Sequence, residues 1–385
     1  MTMGETTERT APMPDEPPPT VFDLLARVWD AGGPVEAVHL DGEGGAAAFH
    51  LSDGSVVIAA VADPEPAAKR LRVAGDVGHL SILQRTQPFG PLAEAALPEG
   101  AVTALAPSAT GKGFVVGTRE GAIKKLTGRG QTLDVATPFS SPVTALGTHP
   151  KTLTVVAASG PDIAIVSEDG STAIRDLTAP APVRAVDFAP DGSAFAAATD
   201  QGLWVVSDGV GSAHLIPSDA VSAPLAWSGD GAYVAAGRTE AGMVLFRMAD
   251  HTAHAIKNYP SPVRSVDWSG PANALLTSGA FRALAWSMAA PPVDGDTSGA
   301  LVSGRSGLVV VEAVAAHPTR PLLAVGYANG IVTLTKIGAP DEMMLSATEG
   351  AAVTALAFTP GGDNLALAHA DGTVAIVNLP PQLFK

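Results

Sequence analysis

The chain has 385 residues and is 46% hydrophobic, enough for two ordinary domains or one large all-β domain with a substantial core. Its formal charge of −15 argues against a general nucleic-acid binder, because phosphate binding relies on clustered Lys and Arg. Without cysteine there is no disulfide, Cys-zinc site or thiol nucleophile, which fits a reducing cytoplasm.

Residues 1–20, MTMGETTERTAPMPDEPPPT, are polar, acidic and Pro-rich, and read as a disordered arm with no signal-peptide core. No apolar run approaches the roughly 18 residues of a membrane span, so a soluble protein of one domain over 21–385 is expected. Residues 21–29, VFDLLARVW, suit either a strand or a short amphipathic helix.

From Val35 onward one pattern recurs. At Val183 it reads VRAVDFAPDGSAFAAATDQGLWVVS, and at Val353 VTALAFTPGGDNLALAHADGTVAIVN. Further copies start at Val35, Val102, Val143, Ser222, Val263 and Val311. A Pro stands seven positions after the anchor at Pro150, Pro190, Pro318 and Pro360, and a Gly nineteen after it at Gly54, Gly121, Gly202, Gly330 and Gly372. The anchor segments alternate apolar with small or polar residues, as strands with one packed face do. Pairs such as Asp53-Gly54 and Asn329-Gly330 supply hairpin turns, and a fourth apolar segment precedes each new anchor. A period of about 40 residues with four short strands marks a β-propeller blade.

These units resemble WD40 repeats over roughly residues 35–379, Leu323–Gly330 matching the second strand and turn of that family well. The overall texture is also similar to that of α-proteobacterial WD-repeat proteins without an assigned function. The resemblance departs at the Trp-Asp that ends the third strand of the family repeat, where Trp286-Ser287 comes nearest, and at the Gly-His before the first strand. Cohesion is therefore expected mostly from apolar packing between blades. The expected fold is all-β, a WD40-like propeller of eight four-stranded blades, with seven as the alternative. An N-terminal segment closes the ring, since the last copy has only three strands of its own.

The 67 residues between the anchors Val35 and Val102 exceed one blade. Val57–Val61 could itself be an anchor strand, making this stretch an ordinary blade, the preferred reading. Otherwise residues 62–90 form an inserted hairpin, Lys69–Val73 and His79–Leu83 joined through Asp76-Val77-Gly78. With Lys69, Arg70, Arg72 and Arg85, it would be a basic projection able to steer an acidic partner.

Motifs for chemistry are sparse. His251 and His254 form an isolated H-x-x-H, and His149 and His317 each precede a Pro in equivalent turns, so none is read as a metal ligand. Gly304-Arg305-Ser306-Gly307 is not a nucleophile elbow, and no phosphate-binding glycine loop or cofactor motif occurs. The acidic residues sit at turns, where backbone hydrogen bonding explains them.

In WD-like propellers the loops between fourth and first strands, and between second and third, converge on one face that commonly binds peptides or proteins. Residues mapping there by repeat position are Arg119, Arg184, Arg238, Tyr259, Arg264, Phe281, Arg282 and Tyr327. Arg and aromatic residues are enriched at binding hot spots. The expected protein is a non-catalytic cytoplasmic scaffold, monomeric apart from protein or peptide partners, with neither cofactor nor metal and no nucleic-acid or membrane partner. The alternative is a propeller enzyme or small-ligand sensor using the central channel.

Overall fold

Alternating Val and Ala segments pair with the segments that follow them, and the pairing repeats eight times. The computed structural model describes residues 19–74, 79–171, 175–207, 212–347 and 349–384, and their strands build eight four-stranded antiparallel sheets. In blade 4, Val183–Phe188 pairs with Ala194–Thr199, that strand with Gly202–Ser207, and the third with Ser212–Pro217. The other blades begin at Val35–Leu40 (blade 1), Val102–Pro107 (2), Ala145–His149 (3), Val221–Trp227 (5), Val266–Ser269 (6), Val311–Ala316 (7) and Val353–Phe358 (8). Each first strand neighbours those of the blades on both sides, 35–40 lying next to 102–107 and 353–358. They form a closed inner ring, and eight blades is the count. No helix among the described residues is long and apolar enough to cross a membrane.

The conserved spacing of glycines has a backbone cause. Gly121 and Gly330, between second and third strands, have φ of +83° and +86°, and a Cβ on Gly121 would collide with the Phe139 carbonyl. Among the described residues, eight apolar clusters fill the eight spaces between successive blades. Second strands contribute small buried runs such as Ala196–Ala198, and third strands larger residues such as Leu203 and Trp204. That gradient suits blades that converge toward the axis.

Hydrogen bonds between inner strands add to this packing. Asp187 accepts from the backbone N–H of Phe188 (2.9 Å) and of Trp227 in blade 5 (3.0 Å). Asp267 accepts likewise from Trp268 (2.7 Å) and from Ala316 in blade 7 (2.8 Å). The Thr148 hydroxyl donates to the Pro107 carbonyl (2.6 Å), joining blades 3 and 2.

Closure uses the segment over 21–29 in both expected forms. Val21–Leu25 is a helix whose Thr20 cap and Asp23 satisfy each other's backbone donors, and Ala26–Asp30 is the outer strand of blade 8, paired with Thr373–Asn378. Leu25 and Ala26 are buried in the cluster between blades 7 and 8.

The Val57 frame is not adopted. Val56–Ala60 is the third strand of blade 1, paired with Ala46–Leu51 and with a two-residue outer strand, Ala93–Glu94. Residues 61–92 are therefore an insertion, with a short helix Ala67–Arg70 and a hairpin Leu71–Ala74/His79–Ile82 whose strands pair only with each other. The turn expected at Asp76–Gly78 lies outside the described residues.

Nor is the insertion a basic projection. Arg70 is buried and donates to the carbonyls of Glu65 (3.1 Å), Leu83 (2.6 Å) and Leu24 (2.5 Å). Arg85 pairs with Asp63 at 2.5 Å, leaving Lys69 and Arg72 as the exposed cations of the four. The basic side chains are used inward because the insertion wraps the closing strand. Arg27 on that strand is buried and donates to Ala60 (2.9 Å), Val61 (2.5 Å) and Ala62 (3.2 Å), while the Trp29 indole donates to Gly90 (2.9 Å).

Candidate partner-binding site

The topology puts all eight expected site residues on or beside the connections of one face, but it commits several of them elsewhere. Tyr259 is buried, its hydroxyl bonded to Thr277 (2.8 Å) and the Trp286 indole (3.1 Å), and burial pushes its phenol pKa up. Arg238 is also buried, donating to the Ala241 carbonyl (2.6 Å) and pairing with Asp219 (2.9 Å). Both serve the fold. Arg184 is exposed yet forked onto Asp200 at 2.8 and 3.0 Å, which raises its pKa, and Arg264 faces Glu312 at 3.4 Å. Arg119 is exposed and makes no ion pair among the described residues.

Phe281, Arg282 and Tyr327 do converge, at the junction of blades 6 and 7. The cause is local. The outer strand of blade 6 is only three residues, Ala300–Val302, and a long connection, 303–310, runs from it across the face of blade 7. That connection is pinned at several points. Gly304 N–H donates to Ala339 (2.9 Å), Gly307 N–H to Phe281 (3.0 Å), Arg305 N–H to the Glu342 carboxylate (3.3 Å), and the Arg282 guanidinium to the Ser306 hydroxyl.

Between connection and sheet lies a cleft of about 180 Å³, lined by Arg305, Val309, Tyr327, Ile331, Glu342 and Met344 among others. Leu308 at the crest is 95% exposed, and Met344 and Phe281 are 51% and 44% exposed. A single exposed leucine is ordinary, but several exposed apolar side chains beside one cleft form the kind of patch that marks a contact surface. In the wall, Asn329 Oδ1 is shut off from solvent with no hydrogen-bond partner, and burial raises the pKa of the Tyr327 phenol. The Arg305 guanidinium carries no ion pair among the described residues, although the protein as a whole is strongly acidic.

Sequence reading missed Leu308, Arg305, Met344 and Asn329. The signal available in the sequence is Gly304-Arg305-Ser306-Gly307-Leu308, a bare Leu in a Gly/Ser loop.

Elsewhere the titratable groups are structural. His149 and His317 pack on Phe188 (5.5 Å) and Phe358 (5.1 Å) of the next blade, as equivalent repeat positions should. His251 stacks on His214 at 4.4 Å, whereas His254 bonds Thr252 (2.8 Å), so the H-x-x-H pair has separate partners. Burial raises Asp187 and Asp267 to about 6 and lowers His39 to about 4, with the His50 charge adding to the last. A larger hollow of about 510 Å³ between blades 4 and 5 includes Lys151, Trp227 and His251, but its wall adjoins residues 208–211, outside the described residues.

No protein-family model matches the sequence, and no curated protein matches it. Solved structures do. The C-terminal WD40 domain of Sif2 aligns with a TM-score of 0.64 at 13% identity, over 92% of this chain and 98% of that one. The fold is that of the WD40 β-propellers. The Cps50 (Swd1) β-propeller domain of Myceliophteria thermophila gives 0.55 at 13% identity, over 92% of this chain and 100% of that one. The computationally designed Ika8 protein gives 0.64 at 18%, over 91% and 98%. At these identities the likeness to WD40 propellers establishes architecture alone.

Proposed function

We propose that the protein is a non-catalytic interaction platform that binds a peptide segment of a partner protein in the cleft between blades 6 and 7. The observation that carries this reading is the grouping of Leu308, Met344 and Phe281, all exposed, with the uncommitted Arg305 and the orphan Asn329 carbonyl. The combination suits an apolar side chain flanked by a carboxylate and backbone donors. Channel chemistry has less support, since Asp187 and Asp267 stand two blades apart and each spends both oxygens on backbone N–H groups.

Affinity capture from the native organism should recover the same partners with the wild-type chain and with Arg184→Glu. They should be lost with Leu308→Asp/Met344→Glu at unchanged melting temperature. Retention of every partner by the double variant would refute the site.

A further inference from the structure

The crest of the 303–310 connection is rich in unused donors. Arg282 donates to the Ser306 hydroxyl, which leaves that hydroxyl's own proton free for another acceptor. The Arg305 guanidinium is exposed and makes no ion pair or hydrogen bond among the described residues. The backbone N–H groups of Ser306 and Leu308 likewise find no acceptor among them, whereas their neighbours Gly304 and Gly307 donate to Ala339 and Phe281. Two guanidinium groups, a hydroxyl and two amides thus gather within four residues of chain and the turn beside it. Charge-assisted donors so grouped favour an anion.

The cleft below the crest is apolar and small. Its volume of about 180 Å³ falls short of the ~300–1,000 Å³ usual for small-molecule sites, and suits one or two side chains. Val309, Ile331 and Met344 line it together with Glu342. Glu342 decides which anion fits. Its carboxylate accepts from the Arg305 N–H (3.3 Å), so an Asp or Glu side chain entering the cleft would meet a like charge. An apolar side chain meets no such penalty. The ligand's carboxylate must therefore stay at the crest while an apolar side chain descends. Gly307 leaves the crest low between the two, since nothing beyond its chain neighbours stands within 3.8 Å of where its Cβ would be. Only the last residue of a chain carries a carboxylate and an apolar side chain on one Cα.

We infer that the blade 6–7 cleft takes the C-terminal residue of a partner chain. Its apolar side chain lies against Ile331 and Met344, and its terminal carboxylate lies on Arg282, Arg305 and the donors of Ser306. Capture of a chain terminus by grouped donors is a recurring recognition mode. This inference rests on the cleft being the binding site proposed above, and it names the part of the partner that enters.

The full chain can be tested by affinity selection from a solution library of random hexapeptides, made once as free acids and once as C-terminal amides. The free acids recovered should end in Leu, Ile, Met or Phe, and each should bind at least about tenfold more weakly as its amide. Arg305→Gln should weaken the free acids by a similar factor and leave the amides unchanged. Arg119→Gln removes an exposed cation at blade 2 and should change neither by more than about twofold. Equal affinities for acid and amide, no apolar preference at the last position, or no binder at all would overturn the inference.

The two levels of the reading fail differently. If Leu308→Asp/Met344→Glu abolishes partner capture while acids and amides bind alike, the terminal carboxylate alone is wrong. If that variant keeps every partner, the binding site falls with it.

Discussion

The arc of blades 2 to 6 and the sector where blades 8 and 1 meet solve the same packing problem by different means. In the arc, each blade is built from consecutive strands, and neighbours are joined by apolar clusters and by hydrogen bonds such as that from the Trp227 backbone N–H to the Asp187 carboxylate. In the closure sector a strand from one end of the sequence must be held against Thr373–Asn378. There the long side chains of Arg27 and Arg70 reach six different residues' carbonyls beyond their own strand and helix, and an insertion covers the joint. Where pairing is local, small apolar side chains suffice. Where it is not, buried cations with many donors fix the geometry.

The comparison is broken most severely by removing residues 1–30. The apolar surface that Leu25 and Trp29 cover is exposed and strand 373–378 becomes an open edge, for a cost of several kcal/mol from the apolar terms alone, roughly 1.5–3 kcal/mol per large side chain whose packing is lost. Thermal melting should drop steeply, and size-exclusion chromatography should show self-association.

Single substitutions come next. Arg27→Met strands three carbonyls and should cost about 3 kcal/mol in urea unfolding, and Arg70→Gln about 2 kcal/mol. A loss below about 0.5 kcal/mol for Arg27→Met would show that closure depends on strand pairing alone.

The two regions should also differ in pH response. Asp187 and Asp267, in the arc, have folded pKa values raised to about 6, so the stability linked to them is present below their unfolded value and is lost as pH rises through 6. His39, in blade 1, is lowered to about 4, so its contribution is present above its unfolded value and is lost as pH falls toward 4. These slopes oppose each other between pH 4 and 6.5, and because two carboxylates outweigh one imidazole the wild-type protein should gain some stability on acidification across that window. His39→Gln should make that rise steeper, and Asp187→Asn/Asp267→Asn should reverse it to a fall of about 3 kcal/mol. Parallel profiles for the two variants would refute the assignment.

The smallest effects are expected at charges that look similar in sequence. Arg72→Gln and Arg184→Gln should each change unfolding free energy by less than about 0.5 kcal/mol, because both side chains are exposed. The contrast of Arg72 with Arg70, two residues away, is the sharpest form of the comparison.

Those two arginines also show where sequence reading stops. Blade count and turn positions were legible because Val anchors and glycines with positive φ repeat in register, and each such mark has a local cause. Closure by 21–30 was legible from the strand missing after Asn378. The insertion was misread because its strands alternate as well as any blade's, and nothing local reveals that Arg70 finds carbonyls 13 and 46 residues away. The site was half legible for the same reason. Position in the repeat put Phe281, Arg282 and Tyr327 on one face, but it could not show that Tyr259 turns inward or that a three-residue outer strand leaves Leu308 over an open cleft.

The pairing of Ala26–Asp30 with Thr373–Asn378 also constrains biosynthesis. On a ribosome the earlier strand emerges on the order of half a minute before its mate, at about 5–20 residues per second. Through that interval the blades condensing behind it form an incomplete arc, with Leu25 and the inner face of blade 1 uncovered. The nascent arc therefore carries uncovered apolar surface, and joining the two ends is a long-range capture whose rate depends on how often two distant segments meet.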